Sequence, residues 1–245
     1  MPNIHQIRPV TGHLVHSHSI TTSGNLLDHT SDGNGWFFAQ SDGSIDFGRI
    51  TGQIAIIDDG TTASGVASFQ GVEHLGGLRH LATWNTTGIA RRRLGLWRDK
   101  ANVLIEPFFS ATSIEIRGLT HDQRNSWTGF YQSLSPFANR VFYARIKDPS
   151  KSISTILNRS PTFANFAFFE IRGLAFEGRN MWILYKEGAV MKVDYCRLDA
   201  IGKLASAQVF RLVETFNMSS LNGLTGTSMY GLFHDGRDLY LGDRG

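Results

Sequence analysis

Three histidines, His13, His16 and His18, follow one another as His-x2-His-x-His. On a strand His16 and His18 share one face and His13 takes the other. A zinc site wants three or four convergent ligands, and only Asp28 and His29 stand close by in sequence. The cluster therefore reads as exposed strand histidines, and no metal and no cofactor is expected. His80, His121 and His234 each stand three residues after a glycine: Gly77, Gly118 and Gly231. A ring of imidazoles could bind a metal or act as a base. Phe176 interrupts that ring in a further copy, which favours packing. Asp46, Asp58, Asp59, Glu106 and Glu115 could supply the carboxylate pair of a glycosidase, but no motif singles them out. There is no Gly-x-Ser-x-Gly elbow and no phosphate loop.

Arginines offer a different chemistry, the capture of anions. Arg117 and Arg172 each precede a Gly-Leu pair, and Asn222 precedes the similar Gly223-Leu224. A second basic group lies between Arg79 and Lys100, where Arg91, Arg92, Arg93 and Arg98 join them against the single acid Asp99. On a loop or edge strand it would form a patch for phosphate, sialic acid or an acidic protein neighbour. The plainer reading is an edge strand protected by charge.

The elements that must hold these residues repeat. Gly118-Leu119-Thr120-His121-Asp122-Gln123-Arg124-Asn125-Ser126-Trp127 matches the stretch from Gly173 to Trp182 and the stretch from Gly231 to Tyr240. The shared pattern is Gly-Leu, an acid, Arg, Asn or Asp, then Trp or Tyr. Two copies also share the lead-in Ile116-Arg117 and Ile171-Arg172. Gly77-Leu78-Arg79-His80, with Trp84, is a degenerate copy, and Trp36 opens a meander of three short strands. A period of about 50 residues built from strands and turns predicts propeller blades. The chain therefore reads as one all-β domain over residues 1–245. Its blades start near Trp36, Gly77, Gly118, Gly173 and Gly231. The fifth is short, and two N-terminal strands (4–10 and 13–20) are expected to complete it. A helical turn over 197–206 is an alternative to coil.

In each unit the aromatic residue Trp36, Trp84, Trp127, Trp182 or Tyr240 is expected to pack between sheets. Arg124, Arg179 and Arg237 recur at one turn position, which suggests pairing with the acid two residues earlier or with a neighbouring blade.

Composition agrees with a turn-rich β protein. Of 245 residues, 18% are charged, below the usual quarter, and 26 are glycine. One cysteine, Cys196, allows no internal disulfide and reads as a buried inert thiol. A net charge of +3 does not mark a nucleic-acid binder. The N-terminus lacks a signal-peptide pattern and no stretch is apolar enough for a membrane helix. Synthesis in a cytoplasm is the expectation, with virion assembly open as a route out.

The repeats resemble those of bacterial and viral β-propellers, in which Gly-Leu-x-x-Asp-Gly-Arg-x-Leu-Tyr-x-x-Asp opens each blade. The resemblance implies a propeller whose ligands sit at the channel mouth, where Arg117, Arg172 and Asn222 would lie, and the five aromatic anchors count five blades. It also implies lectin, scaffold, hydrolase or virus-attachment roles. The expected function is a non-enzymatic module that presents loops to other protein subunits of an assembly or to a surface glycan, as in a virion capsid, spike or tail. The alternative is a hydrolase or lyase acting on a sugar or lactone in the channel.

Overall fold

The computed structural model describes residues 2–9, 11, 13–52, 54–62, 66–76, 79–86, 92–98, 103–111, 115–123, 125–131, 140–145, 169–198, 210–218, 221, 224 and 228–244. Among the described residues nineteen strands run in chain order. They are β1 Asn3–Arg8, β2 His13–Ile20, β3 Leu26–Ser31, β4 Trp36–Gln40, β5 Ser44–Thr51, β6 Ile54–Thr62, β7 Val66–Gly76, β8 Arg79–Thr86, β9 Arg92–Arg98 and β10 Val103–Ala111. There follow β11 Glu115–His121, β12 Asn125–Tyr131, β13 Arg140–Arg145, β14 Phe169–Glu177, β15 Asn180–Glu187, β16 Val190–Leu198, β17 Phe210–Asn217, β18 Met229–His234 and β19 Leu239–Asp243. No α-helix occurs among the described residues, so none is long and apolar enough to cross a membrane. The stretch 199–209, most of the segment with the alternative helical turn, lies outside the described residues; Arg197 and Leu198 belong to β16.

The strands form antiparallel meanders: β7 to β10, β11 to β13 and β14 to β17. An eight-stranded sheet holds two further meanders, β3 to β6 and the set β18-β19-β1-β2. In the latter β1 pairs with β19, Ile4 opposite Gly242 and Gln6 opposite Tyr240. A short parallel contact, Ser19 with Ile54 and Ile20 with Ala55, joins β2 to β6. The His18 ring N–H reinforces it by donating to the Gly52 carbonyl at 2.7 Å.

The first strands of the meanders pack side by side, β3 with β7, β7 with β11, β11 with β14, β14 with β18 and β18 with β3. Sheets arrayed radially about such inner strands form a β-propeller. Apolar side chains fill the wedges between sheets. Trp127 stacks on Phe176 of the next sheet at 6.2 Å, Trp182 on His234 at 5.9 Å, and Trp36 meets Tyr240 edge-on at 4.8 Å. Trp127 and Trp182 thus pack between sheets, and Trp36 and Tyr240 between two meanders of one sheet.

Two blade starts shift. The first meander opens at Leu26, not Trp36. Leu26-Leu27-Asp28-His29-Thr30 is buried throughout and lacks the alternation of a half-buried strand. The second opens at Val66, not Gly77, which lies outside the described residues. In register, Gly71-Val72-Glu73-His74 is the counterpart of Gly118-Leu119-Thr120-His121. Glu73 pairs with Leu81 as Thr120 pairs with Trp127. Trp84 misleads because it sits further along β8, opposite Phe69.

Candidate functional site at the mouth of the inner strands

Every inner strand carries a β-bulge near its middle or start: at Leu27 in β3, Gln70 in β7, Gly118 in β11, Arg172 in β14 and Gly231 in β18. A bulge bends the strand and re-aims the side chains beside it. Gly118 and Gly231 take φ of 72° there, a conformation open to glycine. The strands also touch backbone to backbone at this level. A Cβ on Gly118 would lie 2.8 Å from the Gly173 backbone, and one on Gly173 would lie 2.8 Å from that of Gly231. One on Gly231 would lie 2.7 Å from Asp28 Oδ1. At the recurring Gly of the motif neighbouring inner strands meet at backbone distance, a level here called the throat.

On the entry side of the throat, four of the residues just before these glycines are polar or aromatic: Gln70, Arg117, Arg172 and Tyr230. Two of the sequence candidates meet there. The Arg172 guanidinium lies 4.0 Å from the centre of the Tyr230 ring and that of Arg117 lies 5.9 Å away. Arg244, just past β19, approaches the same ring at 3.5 Å. Glu170, early in β14, bridges the two strands: Oε1 takes Arg117 Nη1 and Oε2 takes Arg172 Nη2 at 2.6 Å. Arg172 is almost wholly buried, while the Glu170 side chain keeps 21% of its exposure. Three guanidiniums around one aromatic ring make a mouth suited to carboxylates or phosphates.

Sequence reasoning missed Glu170, Tyr230 and Arg244. A signal for Glu170 was present: Glu115-Ile116-Arg117-Gly118-Leu119 and Glu170-Ile171-Arg172-Gly173-Leu174 are identical pentapeptides. Tyr230 occupies the arginine's place in a third copy. Arg244 carries no local signal, because only the return of β19 beside β18 brings it in.

Asn222 and Arg91 lie outside the described residues, as do the side chains of Arg92 and Arg93. Both of the latter sit in β9, which pairs with β8 on one side and β10 on the other. Arg92 and Arg93 therefore lie on a strand interior to its sheet. Among the described residues no group of three His, Cys, Asp or Glu could hold a metal. His18 is buried on Gly52 while His13 and His16 are exposed. Asp46 is buried and accepts from the Gln40 amide. Asp58, Asp59, Glu106 and Glu115 lie on strands whose side chains there are not described.

Beyond the throat, polar groups of the inner strands serve the backbone. Asp28 is buried and accepts from Val72 N at 3.2 Å and from Leu232 N, so it ties β3 to β7 and β18. Burial and the neighbouring Glu73 hold its carboxyl well above the usual range. Glu73 accepts from the hydroxyls of Thr30 at 2.9 Å and Thr120 at 3.3 Å. Burial outweighs those donors and pushes Glu73 up to about 8. The threonine oxygens in turn accept from His74 N and Phe176 N.

The imidazoles at the strand ends bridge turn and neighbour. His121 Nδ1 accepts from Gln123 N, and its Nε2–H donates to the His74 carbonyl at 2.7 Å. His234 Nδ1 accepts from Gly236 N, and its Nε2 faces Glu177 at 3.5 Å. His80 belongs to β8, so it is not the partner of His121 and His234; His74 holds that register.

The turn acids also find an unforeseen partner. Asp122 accepts from Trp127 Nε1 at 3.1 Å, Glu177 from Trp182 Nε1 at 3.3 Å, and Asp235 from the Tyr240 hydroxyl at 2.9 Å. The acid fixes the aromatic residue five positions on. Arg179 and Arg237 are exposed at the turns, Arg237 lying 3.9 Å from Asp238, and Arg124 lies outside the described residues. Cys196 is buried and burial raises its thiol, which leaves it inert.

No family model and no curated protein matches the sequence. Solved structures do match, at identities that show the fold alone. The PQQ-bound aldose sugar dehydrogenase of Streptomyces coelicolor aligns over 98% of this chain and 78% of its own, with TM-score 0.56 and 10% identity. A putative oxidoreductase (glucose dehydrogenase) of Thermus thermophilus aligns over 91% and 98%, with TM-score 0.51 and 8% identity. A chain of the mitotic checkpoint complex aligns over 97% and 69%, with TM-score 0.51 and 6% identity. The fold is therefore shared by enzymes and by members of protein assemblies.

Proposed function

We propose that residues 1–245 form one five-bladed β-propeller that acts as a non-enzymatic binding module. It receives an acidic group of a protein or glycan partner at the arginine mouth. The pairing of β1 with β19 and the packing of β18 on β3 support a ring joined through the two chain ends. The convergence of Arg117, Arg172 and Arg244 on Tyr230 carries the binding assignment. None of the similar structures reported above is named as a virion component, so the reading stops at a binding module.

Immobilised protein, titrated with acidic peptides, acidic oligosaccharides and their neutral analogues, tests this. Acidic ligands should bind, and Arg172→Gln should weaken them by about tenfold or more. Equal binding of neutral analogues would overturn the assignment.

One observation favours an enzyme: two buried carboxyls with raised affinities for protons, Asp28 and Glu73, lie on adjacent inner strands. Both are engaged by backbone N–H groups or hydroxyls that they hold in place, which supports a structural role. Turnover of a lactone or glycoside that Glu73→Gln abolishes would reverse the choice.

A further inference from the structure

Glu170 is held as an external ligand would be held. Its two carboxylate oxygens take one guanidinium each, from β11 and from β14. It is also the more exposed partner, at 21% against 7% for Arg172 and 16% for Arg117. The guanidiniums sit on rigid inner strands, whereas a glutamate side chain needs only a rotamer change to leave. Tyr230 is 9% exposed and is covered by Arg172 and Arg244, so it offers no open face for a sugar ring to stack on.

Resting on the reading of the mouth as a binding site, we propose that Glu170 is a built-in competitor for that site. The ligand is an aspartate or glutamate side chain of a partner protein. The incoming carboxylate replaces that of Glu170 on Arg117 and Arg172, and no bond is made or broken. In the free protein Glu170 pairs with one nitrogen of each arginine and sets the threshold a ligand must exceed. A ligand with several acids passes it more readily than one with a single acid.

The test titrates a fluorescent oligoglutamate peptide into wild type, Glu170→Gln and Glu170→Asp, each checked for folding by circular dichroism. An oligoglutamine peptide and a glucuronate oligosaccharide serve as controls. Removing a tethered competitor should tighten oligoglutamate binding about tenfold in Glu170→Gln. Glu170→Asp keeps the charge on a shorter arm, so it should tighten binding about threefold, and it carries the test if the glutamine variant does not fold. Arg172→Gln added to Glu170→Gln should abolish the gain.

Equal affinity in wild type and both Glu170 variants, with Arg172→Gln still weakening binding, would overturn the competitor and leave the mouth in place. No binding, or binding indifferent to Arg172→Gln, would overturn both. Preference for glucuronate over oligoglutamate would overturn the peptide ligand.

Discussion

The mouth and the throat are built on the same inner strands, a residue or two apart, yet they use charge in opposite ways. At the throat and beyond, carboxylates face backbone N–H groups and hydroxyls of neighbouring strands: Asp28 holds Val72 and Leu232, and Glu73 holds Thr30 and Thr120. At the mouth, charged groups face one another and an aromatic ring. Inner strands of a propeller do not pair with one another as a sheet, so their facing N–H groups need side-chain acceptors. A charge that answers this need is committed to the fold. One that is held by another side chain can be exchanged for a ligand.

The contrast breaks most visibly at Asp28. Asp28→Ala would strand two buried donors and should cost about 2–5 kcal/mol in urea denaturation; a loss near zero would remove the throat's structural role. Glu73 sharpens the contrast through pH. Its carboxyl is raised from 4.5 to about 8 in the folded chain. Its contribution to stability is therefore full below about 4.5 and is lost as pH rises through about 8. Glu73→Gln should flatten the fall in melting temperature across that window.

Gly173→Ala should cost about 1–3 kcal/mol, because the new methyl meets the Gly231 backbone at 2.8 Å and the strands must part. At the mouth, Arg172→Gln should cost less stability, about 1–2 kcal/mol, while removing acidic-ligand binding. Arg237→Ala, at an exposed turn, should change stability by less than about 0.5 kcal/mol. A larger loss there would restore the arginine–acid pairing expected from the repeat.

The repeat was legible because its demands are local. The Gly before Leu is required by strands that meet at backbone distance, and the acid and aromatic residue are required by one another across a tight turn. Arg117 and Arg172 were legible for the same reason, as residues fixed beside that glycine. What escaped was set by distant contacts. Strand β3 hides because its buried Asp28 and Thr30 read as polar until β7 and β18 supply their partners. The second meander was misread because Trp84 satisfied the pattern seven residues after the wrong glycine. Arg244 reaches the mouth only through the pairing of β19 with β18, which no neighbouring residue announces.

Hydrogen–deuterium exchange of the full chain, with and without an acidic peptide, tests the central claim most directly. Binding at the mouth should slow exchange in the peptides spanning 115–119, 169–173 and 228–232, and leave 92–98 unchanged. Protection confined to 92–98, or absent from all three mouth segments at saturation, would contradict the account.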